Sequence, residues 1–365
     1  MPGHARGKAM SFRRSDRKYF GRRCACAAAA ALMISVCAAC GKAGESTENA
    51  MKLIKALDYQ GALAELEEAE GKRENSRLIQ RTRGIAYMGL TDYDNAIVCF
   101  QAALAGSNGL VQNVDFDLNY YLAAAYTKKG EYGKAEGIYT AILALRPNEK
   151  DAYFLRGNAR MTLSDYDGAI ADFETAIKLA PRDYDRLIEI YQVLDYYGCG
   201  NVGQEYLRTA LNAGDKQMSK FVSGRIYYYL GEYQNAYIDL EASKEKGGLE
   251  SYLYLGKAYE ATGDYNYAVN VYSSYLNKNQ GSAEMYNQLG LCQMKKGEYT
   301  AALEAFQAGI RLGDAGMTQT LAFNEIAAYE YLGNFEQAKA LMEIYMKNYP
   351  DDRNARREYD FLSTR

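Results

Sequence analysis

A chain of 365 residues is long enough for two or three ordinary domains or for one extended array, and 48% apolar residues give it material for a large core, which excludes global disorder. It holds 35 Tyr, no Trp and only four Pro, and scarce proline beside abundant Ala, Leu, Glu and Lys favours helix. The net charge of −3 hides a division: the first 39 residues carry eight Lys or Arg against one acid, Asp16, so the remainder carries −10, which argues against nucleic acid and anionic lipid as general partners.

Residues 1–39 read as an export signal. A basic head from Arg6 to Arg23 precedes an apolar run, Cys24 to Ala39, that is too short for a comfortable membrane span. Met10 is an alternative start to Met1. The run closes on Cys37-Ala38-Ala39-Cys40-Gly41, which resembles the lipobox of bacterial lipoproteins, although Cys37 stands where that motif usually has Leu. The resemblance implies that Cys40 is lipidated and becomes the N-terminus; an ordinary signal peptide cleaved nearby or an uncleaved anchor is the alternative. Residues 40–48 are then a short polar tether. The protein is expected to be exported, held at the extracytoplasmic face of a cell membrane, and to touch that membrane through its anchor alone.

From residue 49 onward one phrase recurs, an acid or amide, an aromatic, two variable residues and alanine. It appears as Asp58-Tyr59…Ala62, Asp92-Tyr93…Ala96, Glu131-Tyr132…Ala135, Asp165-Tyr166…Ala169 and Glu232-Tyr233…Ala236. It continues as Asp264-Tyr265…Ala268, Glu298-Tyr299…Ala302 and Asn334-Phe335…Ala338. Three of the gaps between successive alanines are 34 residues, and the gap from Ala169 to Ala236 hides one degraded copy with Gly203 in the alanine slot, which makes nine. Three of the four prolines, Pro147, Pro181 and Pro350, fall at one phase of the repeat.

The period and phrase resemble the tetratricopeptide repeat. One copy supplies Tyr153, Gly157, Ala169, Phe173, Ala176 and Pro181, another Tyr252, Leu255, Gly256, Tyr259, Ala268 and Tyr272, and a third Tyr286, Leu289, Gly290, Ala302 and Phe306. Tyrosine often stands where that family has Trp. The resemblance implies an all-α, right-handed superhelical solenoid of antiparallel helix pairs, spanning 49–350. Small residues let helices approach closely and large ones fill the space between them. Neighbouring hairpins must stack, because one hairpin cannot bury its apolar face alone.

Two irregularities interrupt the array. The segment 105–117, with Gly106 and Gly109, is expected as a longer loop. The degraded copy near 184–215 contains Gly198, Gly200 and Gly203, so its second helix is expected to start late. Residues 351–365 read as a capping helix, with Ala355, Tyr359 and Leu362 on one stripe.

Little in the chain points to catalysis or to a cofactor. The single histidine, His4, lies in the leader, which leaves the rest without the commonest general base and metal ligand. Cys99, Cys199 and Cys292 are too scattered for a metal cluster or a disulfide framework. No phosphate-binding loop is present: Gly133-Lys134 and Gly256-Lys257 are each followed by Ala.

In the family that the repeats resemble, the first helix of each pair lines a concave groove. Carrying its groove positions over gives Tyr120, Phe154, Asn158, Gln192, Tyr196, Phe221, Arg225, Tyr228, Tyr229, Lys257, Asn287 and Phe323. Aromatic rings mixed with amides and two cations suit a protein or extended peptide. For each of these residues packing between hairpins is the competing role. The expected function is a non-enzymatic scaffold for protein partners. The alternatives are a receptor for an extracellular peptide or glycan and an envelope-complex assembly factor.

Overall fold

The computed structural model describes residues 44–107, 109–279 and 281–364. The export signal and Cys40 lie outside them. Among the described residues there are nineteen helices and no strand: nine antiparallel pairs followed by a terminal helix.

The chain divides into two compact units within its tenth helix, between Tyr206 and Leu207. The first unit holds the pairs α1 (Glu45–Lys55) and α2 (Tyr59–Gly71), α3 (Ser76–Gly89) and α4 (Tyr93–Ala105), α5 (Asn113–Lys129) and α6 (Tyr132–Leu145), and α7 (Lys150–Thr162) and α8 (Tyr166–Leu179). It ends with α9 (Tyr184–Tyr196) and the start of α10 (Gly200–Asn212). The second holds α11 (Lys220–Tyr229) and α12 (Tyr233–Ser243), α13 (Gly248–Ala261) and α14 (Tyr265–Lys278), α15 (Ala283–Lys296) and α16 (Tyr299–Ile310), α17 (Thr318–Tyr331) and α18 (Phe335–Asn348), and the terminal α19 (Arg353–Ser363). From α1 to α9, and again from α11 to α19, each helix packs on the next in the chain.

The recurring phrase has a physical role at each position. In four copies its first residue caps the second helix: Asp58, Asp92, Asp165 and Asn334 accept hydrogen bonds from the backbone N–H of Gly61, Asn95, Gly168 and Gln337 at 2.9, 3.2, 3.1 and 3.2 Å. Its aromatic residue is the first of that helix. The alanine is fully buried in all eight copies that keep it. Larger side chains would hold the helices apart there. A ring fills the facing space, so that a Cβ added to Gly157 would lie 2.6 Å from the Phe173 ring, and one at Gly256 2.1 Å from Tyr272. Proline stands two residues after the last residue of α6, α8 and α18, where no further helical N–H is needed.

Six of the nine turns within pairs place glycine at positive φ; the other three place Leu57, Thr91 and Ser164 there, at φ 63°, 61° and 65°. A β-branched residue is strained most in this left-handed region. Replacing exposed Thr91 by Gly should therefore raise stability by about 1 kcal/mol in urea denaturation, with the turn unchanged. Equal or lower stability would show that Thr91 is not strained.

Three expectations are corrected. Helix α1 starts at Glu45, inside the segment 40–48 expected as tether, because the Glu74 carboxylate accepts from the backbone N–H of Ser46 and Thr47, both at 3.0 Å, and from the Thr47 hydroxyl at 2.5 Å. The loop expected over 105–117 spans only 106–112: Asp115 accepts from the Gln112 backbone N–H at 2.7 Å and so starts α5 at Asn113. That loop leaves Leu110 and Val111 largely exposed. In the degraded copy α10 begins at Gly200, three residues before the alanine slot as in every other copy, and not late. Gly203 keeps the close approach that alanine makes elsewhere: an added Cβ would lie 3.0 Å from the Tyr191 backbone.

Candidate ligand-binding surface

The residues expected to line a groove fall into three environments. In the first unit, Phe154 is buried against Phe173, ring centroids 6.0 Å apart, with the Arg186 guanidinium 4.0 Å from its ring. Asp151 and Glu189 each hold that guanidinium at 2.7 Å. Phe154 is therefore a packing residue, which corrects its assignment to an open surface. Asn287 in the second unit is corrected likewise: it is 5% exposed, and the Asn324 amide donates to its Oδ1 at 2.7 Å, tying α15 to α17. Phe323 stands edge-on to Tyr345 at 5.7 Å.

Tyr120, Asn158, Gln192 and Tyr196 are at least partly exposed in the first unit. The Tyr120 hydroxyl and the Asn158 Oδ1 are buried atoms without a hydrogen-bond partner among the described residues. Burial, with Glu149 and Asp151 nearby, pushes the Tyr120 phenol well above its usual range, so it stays a neutral donor. Tyr196 is half exposed and lies edge-on to Tyr197 at 5.1 Å.

In the second unit the remaining residues converge on Tyr254, a residue that carrying over groove positions does not select. Helix α11 contributes Phe221, Arg225, Tyr228 and Tyr229 at a spacing that puts them along one side, and α13 contributes Tyr254 and Lys257. Phe221, Tyr228 and Tyr229 stand edge-on around the Tyr254 ring at 6.3, 5.6 and 6.0 Å. The Arg225 guanidinium is 5.2 Å from both the Phe221 and the Tyr254 rings, and Lys257 Nζ is 5.4 Å from Tyr254. Cations over ring faces gain roughly 0.5–2 kcal/mol each. The Tyr229 and Tyr254 hydroxyls are 2.9 Å apart. Burial first, and then Tyr254, keep the Tyr229 phenol neutral. The cluster thus presents apolar ring edges, hydroxyls and two cations on one first-helix face. It was missed because Tyr254 lies one residue past a groove position; the only signal was the tyrosine run 252, 254, 259.

Cys99 and Cys292 are buried, and burial pushes the Cys292 thiol up to about 12, so neither is placed to react. No group of three metal-ligating side chains occurs among the described residues, and no helix among them is long and apolar enough to cross a membrane.

Models of the tetratricopeptide repeat match residues 81–150, 151–183, 253–316 and 326–352 of this chain, more than half of its length together. RNA polymerase II-associated protein 3 of Xenopus tropicalis is 25% identical over 196 residues, 54% of this chain and 27% of that protein. Human serine/threonine-protein phosphatase 5 is 27% identical over 183 residues, 49% of this chain and 32% of that protein. The chain thus spans about a third or less of the curated relatives it matches. Among solved structures, a tetratricopeptide repeat protein from Parabacteroides merdae is 15% identical, covering 78% of this chain and all of that one with a TM-score of 0.43. MamA from Desulfovibrio magneticus is 20% identical, covering 49% and all, with a TM-score of 0.40.

Proposed function

Because this chain belongs to the tetratricopeptide repeat family, whose repeats serve as protein-interaction scaffolds, we propose that it is a non-enzymatic scaffold on the outer face of a bacterial cell membrane, anchored through Cys40 and binding a protein or peptide on the first-helix face of its second unit. The observation that carries the binding surface is the convergence of Phe221, Arg225, Tyr228, Tyr229 and Lys257 on Tyr254. Large rigid rings beside a guanidinium form the composition that dominates binding energy in protein interfaces. The −10 charge outside the leader disfavours strongly acidic partners, while Arg225 and Lys257 offer carbonyl or carboxylate groups of a docking segment a local hold.

Crosslinking in the native cell, followed by recovery of partners, tests this reading. Wild-type protein should yield a defined partner that Tyr254→Ala and Tyr228→Ala each reduce at least tenfold, with both variants folded by circular dichroism. Undiminished recovery in both would remove this face from the reading. Cys40→Ala tests the anchor separately: it should move the protein from the membrane to the soluble fraction.

A further inference from the structure

A second set of rings in the same unit is arranged differently and runs from one second helix to the next across a first helix. Tyr237 on α12, Tyr259 on α13 and Tyr267 on α14 form a face-to-face ladder, with centroids 4.4 and 5.3 Å apart and planes tilted by 12° and 21°. Every ring pair around Tyr254 is edge-on instead. The ladder is fixed at its inner end, where the Tyr237 hydroxyl lies 2.7 Å from the Thr262 hydroxyl and donates to the Ala258 carbonyl at 3.4 Å. Tyr259 is sandwiched between the other two rings. Tyr267 ends the ladder with one face covered by Tyr259 and its side chain 61% exposed.

Tyr267 also lines a recess of about 370 Å³, with Asp264, Asn266, Lys295 and Lys296 around it. The charges on this rim are already balanced. Glu260 holds Lys295 Nζ at 2.6 Å and Glu298 holds Lys296 Nζ at 2.8 Å, while Asp264 accepts from the Thr262 hydroxyl at 3.1 Å. Asn266 is exposed and its amide is engaged by no other described residue.

We propose that the open face of Tyr267 and this recess bind the sugar ring of a neutral oligosaccharide. A pyranose has an apolar C–H face, which suits the electron-rich face of a tyrosine, and a rim of hydroxyls that both donate and accept. The recess matches both halves: one exposed ring held flat against Tyr259, and a rim of amide, carboxylate and ammonium groups with little net charge. A phosphate or other anion finds both lysines paired. A flat aromatic ligand would stack but leave the polar rim unused. The size of the recess is at the lower end of small-molecule sites, enough for one or two sugar rings.

Isothermal titration of the full-length chain with chitotriose, cellotriose and maltotriose tests the assignment. Wild type should bind at least one with a Kd on the order of 1 mM, the range for one stacked ring and a few hydrogen bonds. Tyr267→Phe keeps the ring and should bind within about threefold of wild type, whereas Tyr267→Ala should weaken binding at least tenfold. Tyr267 is exposed, so the alanine variant should melt with wild type, which separates loss of the site from loss of the fold. Tyr254→Ala should bind sugar normally, so failure of the first-helix surface and failure of this one are told apart. The proposal is overturned if wild type binds none of the three below about 10 mM, if Tyr267→Ala binds like wild type, or if inorganic phosphate competes with the sugar.

Discussion

Replacing Asp172 by Ala is expected to cost the first unit about 3–5 kcal/mol of stability, the usual consequence of removing one partner of a buried ion pair. Asp172 is 3% exposed and takes a forked pair of hydrogen bonds from Arg156, from Nε at 2.9 Å and Nη2 at 2.7 Å. Arg160 Nη1 donates to it as well, at 3.0 Å, while Arg160 Nε donates to Glu136 at 3.0 Å. Deleting the carboxylate leaves the Arg156 guanidinium mostly enclosed with only the Thr140 hydroxyl, at 3.2 Å, as a bonded partner. The chain contains its own control. At the same two repeat positions other copies carry apolar pairs, Leu122 with Ile138, Leu255 with Val271 and Leu289 with Ala305, each within one apolar cluster. The double variant Arg156→Leu, Asp172→Val should therefore recover most of the loss or exceed wild type, since apolar replacement of a buried pair is often neutral or stabilising. Urea denaturation gives the free energies, and hydrogen exchange on α7 and α8 shows whether the opening is local. A loss below about 1 kcal/mol for Asp172→Ala would mean that Thr140 and water satisfy Arg156 without it.

The same positions show what was legible in the sequence. Family phase finds the buried alanines, the aromatic that fills the space over Gly157 and Gly256, and the helix ends at the prolines, because each follows from local geometry repeated nine times. It does not find the buried Arg156–Asp172 pair, where two departures from the apolar pattern compensate each other across a hairpin. Polar residues at such positions look like surface until the structure brings them together. Helix starts were misjudged where a long-range partner decides them. Glu74 caps α1 from 27 residues away, and Gly203, one of the glycines that argued for a late start at α10, serves instead to let Tyr191 approach. The groove residues failed or held by the same rule. Phe154 and Asn287 are drawn inward by Arg186 and Asn324, partners from the next first helix. Tyr254 was invisible because its importance comes from rings contributed by α11, not from its own repeat position.

Raising the pH from 5 to 9 should weaken the docking of the terminal helix, and Glu330→Gln should remove that dependence. Helix α19 covers the last pair through buried Ala355 and Leu362, with Tyr359 beside them, and its start is fixed by Asp352, which accepts from the Tyr345 hydroxyl at 2.8 Å. Glu330 on α17 faces Glu358 on α19, and its buried Oε1 has no donor among the described residues. Burial first, and then the Glu358 carboxyl, push the Glu330 carboxyl up to about 8, and no cation opposes them. A carboxyl raised on folding contributes stability that is fully present below its unfolded value of 4.5 and is lost as pH rises through about 8. Because Glu330 is partly exposed, solvent screening limits the expected loss to about 1–2 kcal/mol. Gln keeps the shape of the protonated acid, so Glu330→Gln should match wild type at pH 5 and exceed it at pH 9. Glu358→Gln should act in the same direction, since it removes the neighbouring charge. Hydrogen exchange across α19 at the two pH values measures the effect where it arises. Protection in wild type that does not change between them, or that rises at pH 9, would show that the two carboxyls do not repel across this contact.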